Sequence, residues 1–177
     1  MKPIDTALLQ RFLELAGERL EGDWVVIGGM VLPLLGATHR VTLDIDIAGP
    51  DEATMSQTLV LMSIAEELGL PVEAINQAGA YFLHKIEGWQ DHLVEVHRGP
   101  SARIHVPDPT LFILLKLQRL TEADLADCKE MLRLGQKRGL PIDQERLLEA
   151  VGRALDTSPE GPRLDRLMEL KALLEQR

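Results

Sequence analysis

Two aspartates with one residue between them are the strongest candidates for chemistry in this sequence. Asp44 and Asp46 lie in an apolar run, 41–47, whose alternation predicts a β-strand. Side chains two positions apart on a strand share a face, so the two Cα atoms would lie about 7 Å apart with both carboxylates on one side. Mg²⁺ characteristically takes one or two protein carboxylates together with substrate phosphates. The pair therefore predicts metal-dependent chemistry at a phosphate group.

A glycine pair precedes the aspartates and offers a place for that phosphate. The apolar run 24–27 predicts a buried strand, and Gly28 and Gly29 end it. The apolar segment that follows contains Pro33, which is tolerated in a first helical turn, so we expect a short helix beginning near Gly29 and ending at Gly36. Backbone N–H groups at a helix start, with no side chains in the way, let a polyphosphate approach closely. Either motif alone is more often a turn or a solvated strand face, but together they favour a nucleotide site.

Composition narrows the class of protein and of ligand. A chain of 177 residues fits one domain, or a domain with a helical appendage, and no stretch approaches the roughly 18 uncharged apolar residues of a membrane span. The net charge of −9, without a Lys/Arg run, disfavours binding to duplex DNA and favours a protein or a small molecule over tRNA as partner. With the single Cys128 no internal disulfide can form, so we expect a cytoplasmic protein.

Periodicity predicts a mixed α/β part followed by a helical part. The composition shifts after Pro107, so we expect an α/β core over 1–107 and a helical subdomain over 108–177, together one compact unit. Asp108-Pro109 has the form of a helix start, cap then proline. The predicted helices cover 5–20, 51–68, a stretch from 109, 122–138, 143–155 and 163–175, and the predicted strands cover 24–27, 41–47, 81–86, 92–97 and 102–106.

The order of these motifs resembles the minimal nucleotidyltransferases of the DNA-polymerase-β superfamily. Among them it is most similar to the AbiEii-like and DUF6036-type proteins linked to toxin–antitoxin systems. A second block resembles the family's lysine–leucine and aspartate-rich stretch. The resemblance implies an α+β fold, in which a nucleotidyltransferase-like mixed β-sheet is flanked by helices and followed by an all-helical C-terminal part. The residues that carry it are Gly28, Gly29, Arg40, Thr42, Asp44 and Asp46 in the first block, and Lys116, Leu117, Arg119, Asp124 and Asp127 in the second.

The resemblance also implies an activity and a site. The reaction would be the transfer of a nucleoside monophosphate from an NTP to a hydroxyl acceptor, with Mg²⁺ or Mn²⁺ as cofactor. Asp44 and Asp46 would hold the metal, and Glu95 is the best candidate for the third carboxylate that the superfamily usually has, as a further metal ligand and catalytic residue. The nucleotide-binding residues would be Gly28, Gly29, Arg40, Thr42 and Lys116.

Several interpretations stay open at this point. Glu95 is equally consistent with an ion pair to Arg98 or Arg103, and Lys116 with a side chain that snorkels to the surface. Asp124 and Asp127 are three residues apart and share a helix face, which we expect to be solvated. We expect Glu95 and His97 to share a strand face, with His92 on the other, which disfavours a zinc site.

A non-enzymatic alternative also stays open. The chain would then be a catalytically inactive antitoxin or regulatory module that binds a protein, for example a cognate toxin or antitoxin. The leucine-rich C-terminal helices are core, an oligomer surface or a partner surface in either case.

Overall fold

A computed structural model describes residues 4–37, 43–49 and 54–176. The chain divides into two compact units, 1–107 and 108–177, at the position where the composition shifts. Whether the two units form one body stays a prediction. The elements of the first unit are α1 (Thr6–Arg19), β1 (Gly22–Ile27), a 3₁₀ turn (Gly28–Met30), α2 (Val31–Leu34), β2 (Ile45–Ala48), α3 (Met55–Glu67), a 3₁₀ turn (Val72–Ala74), β3 (Ile75–Asn76), α4 (Ala80–His84), a 3₁₀ turn (Trp89–His92), β4 (Leu93–Arg98) and β5 (Ala102–Pro107).

The five described strands form one mixed sheet in the order β3-β2-β1-β5-β4. β1 is antiparallel to β2 and parallel to β5, β3 runs parallel to β2, and β4 is antiparallel to β5. This mixed sheet with flanking helices, followed by a helical C-terminal part, confirms the predicted fold class.

The two faces of the sheet have different roles. One face carries fully buried side chains, among them Trp24, Val26 and Ile45, and is covered by α1 and α3. Arg19 on α1 forms an ion pair with Glu67 on α3, which ties these two helices together. Asp46 lies on the opposite face, which Gly79, the residue before α4, approaches at Ile27 and Asp46. We refer to the latter as the aspartate face.

The second unit is helical, as predicted. Its first helix begins where the sequence places it, because the Asp108 carboxylate accepts a hydrogen bond from the Leu111 N–H at 2.9 Å. Thr121 caps the next helix in the same way, and Gly139 ends it with φ +65°. No helix in the described ranges is long and apolar enough to cross a membrane. The helices are α5 (Pro109–Leu117), α6 (Glu122–Arg138), α7 (Gln144–Thr157) and α8 (Pro162–Glu175).

The predicted strand over 81–86 is wrong, because this segment contains α4. Aromatic residues prefer strands mainly because they pack on a pleated surface, and such a preference yields to tertiary context. Here a turn after Asn76 leads into a short helix, in which Leu83 is buried and Tyr81 and Phe82 are exposed. The other boundaries agree with the predictions to within two residues, except at the start of one helix and of one strand. The helix expected from 51 begins at Met55, with 50–53 outside the described residues, and β2 begins at Ile45.

Candidate active site

Gly28 and Asp46 are in contact where β1 ends and β2 begins. Ile27, the last residue of β1, pairs directly with Asp46. Gly28 has φ +71°, and a β-carbon placed on it would lie 2.5 Å from Oδ2 of Asp46. That distance is too short for any real contact, so the Asp46 carboxylate can take this position only beside a glycine. The antiparallel pairing of β1 and β2 thus brings the two motifs together at one end of the sheet.

A second glycine approaches Asp46 from the other side. Asn76 pairs with Asp46 across β3 and β2, and its Oδ1 accepts a hydrogen bond from the Ala78 N–H at 3.1 Å, which turns the chain back over the sheet. A β-carbon on Gly79 would lie 2.4 Å from Cδ1 of Ile27 and 4.0 Å from Cβ of Asp46. The loop 76–79 is therefore a wall of the candidate site. Sequence reasoning missed it, although an asparagine followed by a glycine three residues later is a turn signal.

The two aspartates differ in exposure. Asp44 is exposed and lies just before β2, whereas Asp46 is half-buried between the two glycines. Within 4–37, 43–49 and 54–176, no three His, Cys, Asp or Glu side chains form a group that could hold a metal ion. Two neighbouring carboxylates do fit Mg²⁺, which keeps several waters and takes its remaining ligands from substrate phosphates. Arg40 and Thr42 lie outside the described residues.

Glu95 is not brought to Asp46 by the sheet. It lies on β4, three strand positions from β2, and that amounts to about 14 Å at the usual strand spacing. Both of its carboxylate oxygens accept hydrogen bonds from Arg98, at 2.9 and 2.6 Å, so Arg98 is its partner and not Arg103. Arg103 instead donates to Asp23 at 2.7 Å. The hydrogen bonds from Arg98 lower the pKa of Glu95.

The expectation that Glu95 and His97 share a strand face is wrong. An irregularity in β4 shifts the register, so that Glu95 pairs with His105 and His97 pairs with Ile104. Successive residues of β5 alternate between the faces, and the extra residue in β4 therefore turns His97 to the side of α1. There a β-carbon on Gly17 would lie 2.8 Å from Nε2 of His97.

Lys116 belongs to a buried ion network in the helical unit. Its Nζ lies 2.8 Å from Oδ1 of Asp124 and 3.0 Å from Oδ2 of Asp127. The expectation of a solvated face for these aspartates is wrong, because they are 1% and 5% exposed. Asp124 also accepts hydrogen bonds from Arg119 and Thr121. The loop 118–121 places both donors around its carboxylate.

This network sets the ionisation of Asp124. Burial alone would raise the pKa of Asp124, but hydrogen bonds from Arg119, Lys116 and Thr121 outweigh burial and hold the pKa well below its usual range. The described contacts of Lys116 thus stabilise the packing of α5 on α6, and its predicted contact with a nucleotide stays a prediction. Cys128 on α6 is buried, and burial raises the pKa of its thiol to about 12, so it is unreactive at neutral pH.

The fold and this site define a nucleotidyltransferase-like core, with a glycine pair at the end of β1 and paired aspartates at the start of β2. The chain belongs to the DUF6036 family, described as nucleotidyltransferases of unknown function, and the match covers residues 6–141. Neither the curated proteins nor the solved structures include a match to the chain. The resemblance to a nucleotidyltransferase family is thus confirmed, while the link to AbiEii-like proteins and toxin–antitoxin systems stays a prediction.

Proposed function

We propose that the chain is a nucleotidyltransferase that transfers a nucleoside monophosphate from an NTP to a hydroxyl acceptor. The observation that carries the proposal is the contact between Gly28 and Asp46. A turn without a side chain and a half-buried carboxylate beside an exposed one are what a triphosphate with its metal requires. Membership of a nucleotidyltransferase family supports the same class of reaction.

Each residue of the site would have a defined role. The α2 helix is a single turn and contributes little dipole, so the glycines would act through close approach of the backbone to the triphosphate. Asp44 and Asp46 would hold Mg²⁺ or Mn²⁺, which when bound would neutralise phosphate charge and polarise the reacting phosphoryl group. The acceptor oxygen would bond to the α-phosphorus as the bond to the β-phosphate oxygen breaks. Pyrophosphate would leave, and the hydroxyl proton would pass to solvent.

The charge of the chain bears on the acceptor. At −9 the protein repels polyanions, and no Lys/Arg run offsets this charge. We therefore favour a protein hydroxyl, such as that of a cognate toxin or antitoxin, or a cationic small molecule. tRNA would require a basic surface.

A second candidate function rests on Glu95. The third carboxylate of the superfamily has its best sequence candidate there, yet Glu95 is bound by Arg98 and lies three strands from Asp46. This observation favours a chain that retains the fold and a nucleotide-binding turn but acts as a regulatory, protein-binding module.

Transfer assays separate the two candidates. The purified chain is incubated with each of the four NTPs, labelled at the α-phosphate, with Mg²⁺ and with protein and aminoglycoside acceptors. We expect label transfer by the wild type and a loss of roughly two orders of magnitude or more in Asp44→Asn and Asp46→Asn. Asp91→Asn is the matched control, because Asp91 is an exposed aspartate on a turn of the same unit. Absence of transfer in the wild type would leave the protein-binding candidate, whether or not Mg²⁺–NTP raises the melting temperature.

A further inference from the structure

Two exposed aromatic side chains and a lysine form a cluster on α4, which we call the aromatic platform: Tyr81, Phe82 and Lys85. The two rings are 62% and 46% exposed, and they pack edge to face with centroids 5.5 Å apart. Lys85 donates a hydrogen bond to the Tyr81 hydroxyl, and its Nζ lies 3.9 Å from the centroid of the Tyr81 ring. The platform therefore combines flat apolar surface with a positive charge.

The platform is adjacent to the candidate active site through Gly79. The Phe82 N–H donates to the Gly79 carbonyl at 3.1 Å, and a β-carbon on Gly79 would lie 4.0 Å from Cβ of Asp46. Tyr81 follows Gly79 by two residues, so their Cα atoms lie on the order of 6 Å apart in a helical turn. The backbone of both aromatic residues thus lies within several ångströms of Gly79, which forms the wall of the site beside Asp46.

The platform is also held in place. Leu83 is fully buried and anchors α4, and α4 contacts β2 on the aspartate face. Exposing two neighbouring aromatic side chains on a well-anchored helix forgoes the burial that stabilises such residues elsewhere. Clustered exposed apolar surface of this kind is typical of binding sites.

We propose that Tyr81 and Phe82 stack against the nucleobase of the NTP whose phosphates lie at Gly28 and Asp46. This inference rests on the proposed function and specifies how the nucleoside is held. Lys85 complements the negative charge of the nucleotide. Because every base has a π-face, stacking tolerates all four bases, and discrimination between NTPs is correspondingly weak.

Binding measurements with and without a base test the proposal. Titration calorimetry in Mg²⁺ compares each of the four NTPs with inorganic tripolyphosphate, for the wild type, for Tyr81→Ala/Phe82→Ala and for Tyr81→Phe. We expect the wild type to bind the NTPs roughly 5- to 100-fold more tightly than tripolyphosphate, and the double variant to lose this advantage while its tripolyphosphate affinity is unchanged. Tyr81→Phe retains the ring and is expected to stay within about twofold of the wild type.

A matched control and a folding check accompany these variants. Leu59→Ala removes an exposed apolar side chain from α3, on the other side of the sheet, and is expected to leave all affinities unchanged. Melting curves confirm that each variant is folded. Equal wild-type affinities for NTP and tripolyphosphate, or an unchanged NTP affinity in the double variant, would overturn the stacking proposal and leave the proposed function standing. A wild type that binds neither ligand would overturn both.

Discussion

A β-carbon on Gly28 would lie 2.5 Å from Oδ2 of Asp46, so the Asp46 carboxylate can hold its position only if residue 28 is a glycine. The pairing of Ile27 with Asp46 sets this proximity, because it places the turn after β1 beside the first residues of β2. Two features thus require a glycine at position 28: its φ of +71° and the carboxylate next to it. The second reason links backbone geometry to the proposed chemistry.

Gly28→Ala should therefore abolish transfer for a reason beyond backbone strain. Gly69→Ala is the matched control, since Gly69 has φ +67° and a β-carbon there would meet nothing within 4 Å. We expect Gly69→Ala to cost about 1 kcal/mol in the free energy of unfolding and to keep full activity. Gly28→Ala should add to that strain the displacement of Asp46, with at least about a tenfold loss of NTP affinity. Urea unfolding measures the stability of each variant, calorimetry its NTP affinity and the transfer assay its activity. Equal behaviour of both variants would contradict the role of Asp46.

Residues whose positions depend on local geometry can be predicted from the sequence, and residues whose partners depend on tertiary packing cannot. The glycine pair, the aspartates and the Asp108 cap depend on local geometry, so their spacing predicts them. The ion pair between Lys116 and Asp124 could not be predicted, because it forms only when the loop after α5 packs α6 against α5. The position of Glu95 relative to Asp46 depends on the strand order, which residue periodicity does not reveal. The strand β3 could not be predicted either, because two residues leave no periodic signal. The aromatic content of the segment that contains Tyr81 and Phe82 predicts a strand, whereas the turn that precedes them leads into the helix α4.

Glu95→Gln is expected to leave the transfer rate within about threefold of the wild type. Arg98 lowers the pKa of Glu95, so the carboxylate remains ionised at neutral pH and is a weak base, and the strand order keeps it from the site. Steady-state transfer kinetics at several pH values check this, with Asp46→Asn as the inactive reference. A loss in Glu95→Gln comparable to that in Asp46→Asn would restore Glu95 as the third carboxylate.

Asp124→Asn should destabilise the protein by about 3 kcal/mol at neutral pH, because it leaves Lys116 and Arg119 without their shared carboxylate. The pKa of Asp124 is lower in the folded state than in the unfolded state. Ionised Asp124 therefore stabilises the fold fully above the unfolded pKa of about 3.9, and this contribution is lost as the pH falls through the folded value.

Urea unfolding of the wild type and of Asp124→Asn at a series of pH values checks the sign. The difference in unfolding free energy between the two proteins should be constant from roughly pH 5 to pH 8 and should shrink below about pH 4. Asp156→Asn, at an exposed position on α7, should change stability by less than about 0.5 kcal/mol throughout. A difference that grows on acidification would contradict the network as described.

Gly79→Ala tests the wall of the site through a rescue. The φ of Gly79 is −70°, so alanine carries no backbone strain, but its β-carbon would lie 2.4 Å from Cδ1 of the buried Ile27. We expect a loss of about 1 to 3 kcal/mol from overpacking, together with weaker NTP binding as the loop moves from Asp46. Ile27→Val removes the clashing methyl and alone costs about 0.5 to 1.5 kcal/mol. The double variant should therefore be more stable than the sum of the single effects and should recover affinity. If the losses of stability in the two single variants simply add in the double variant, the effect of Gly79→Ala does not arise from contact with Ile27.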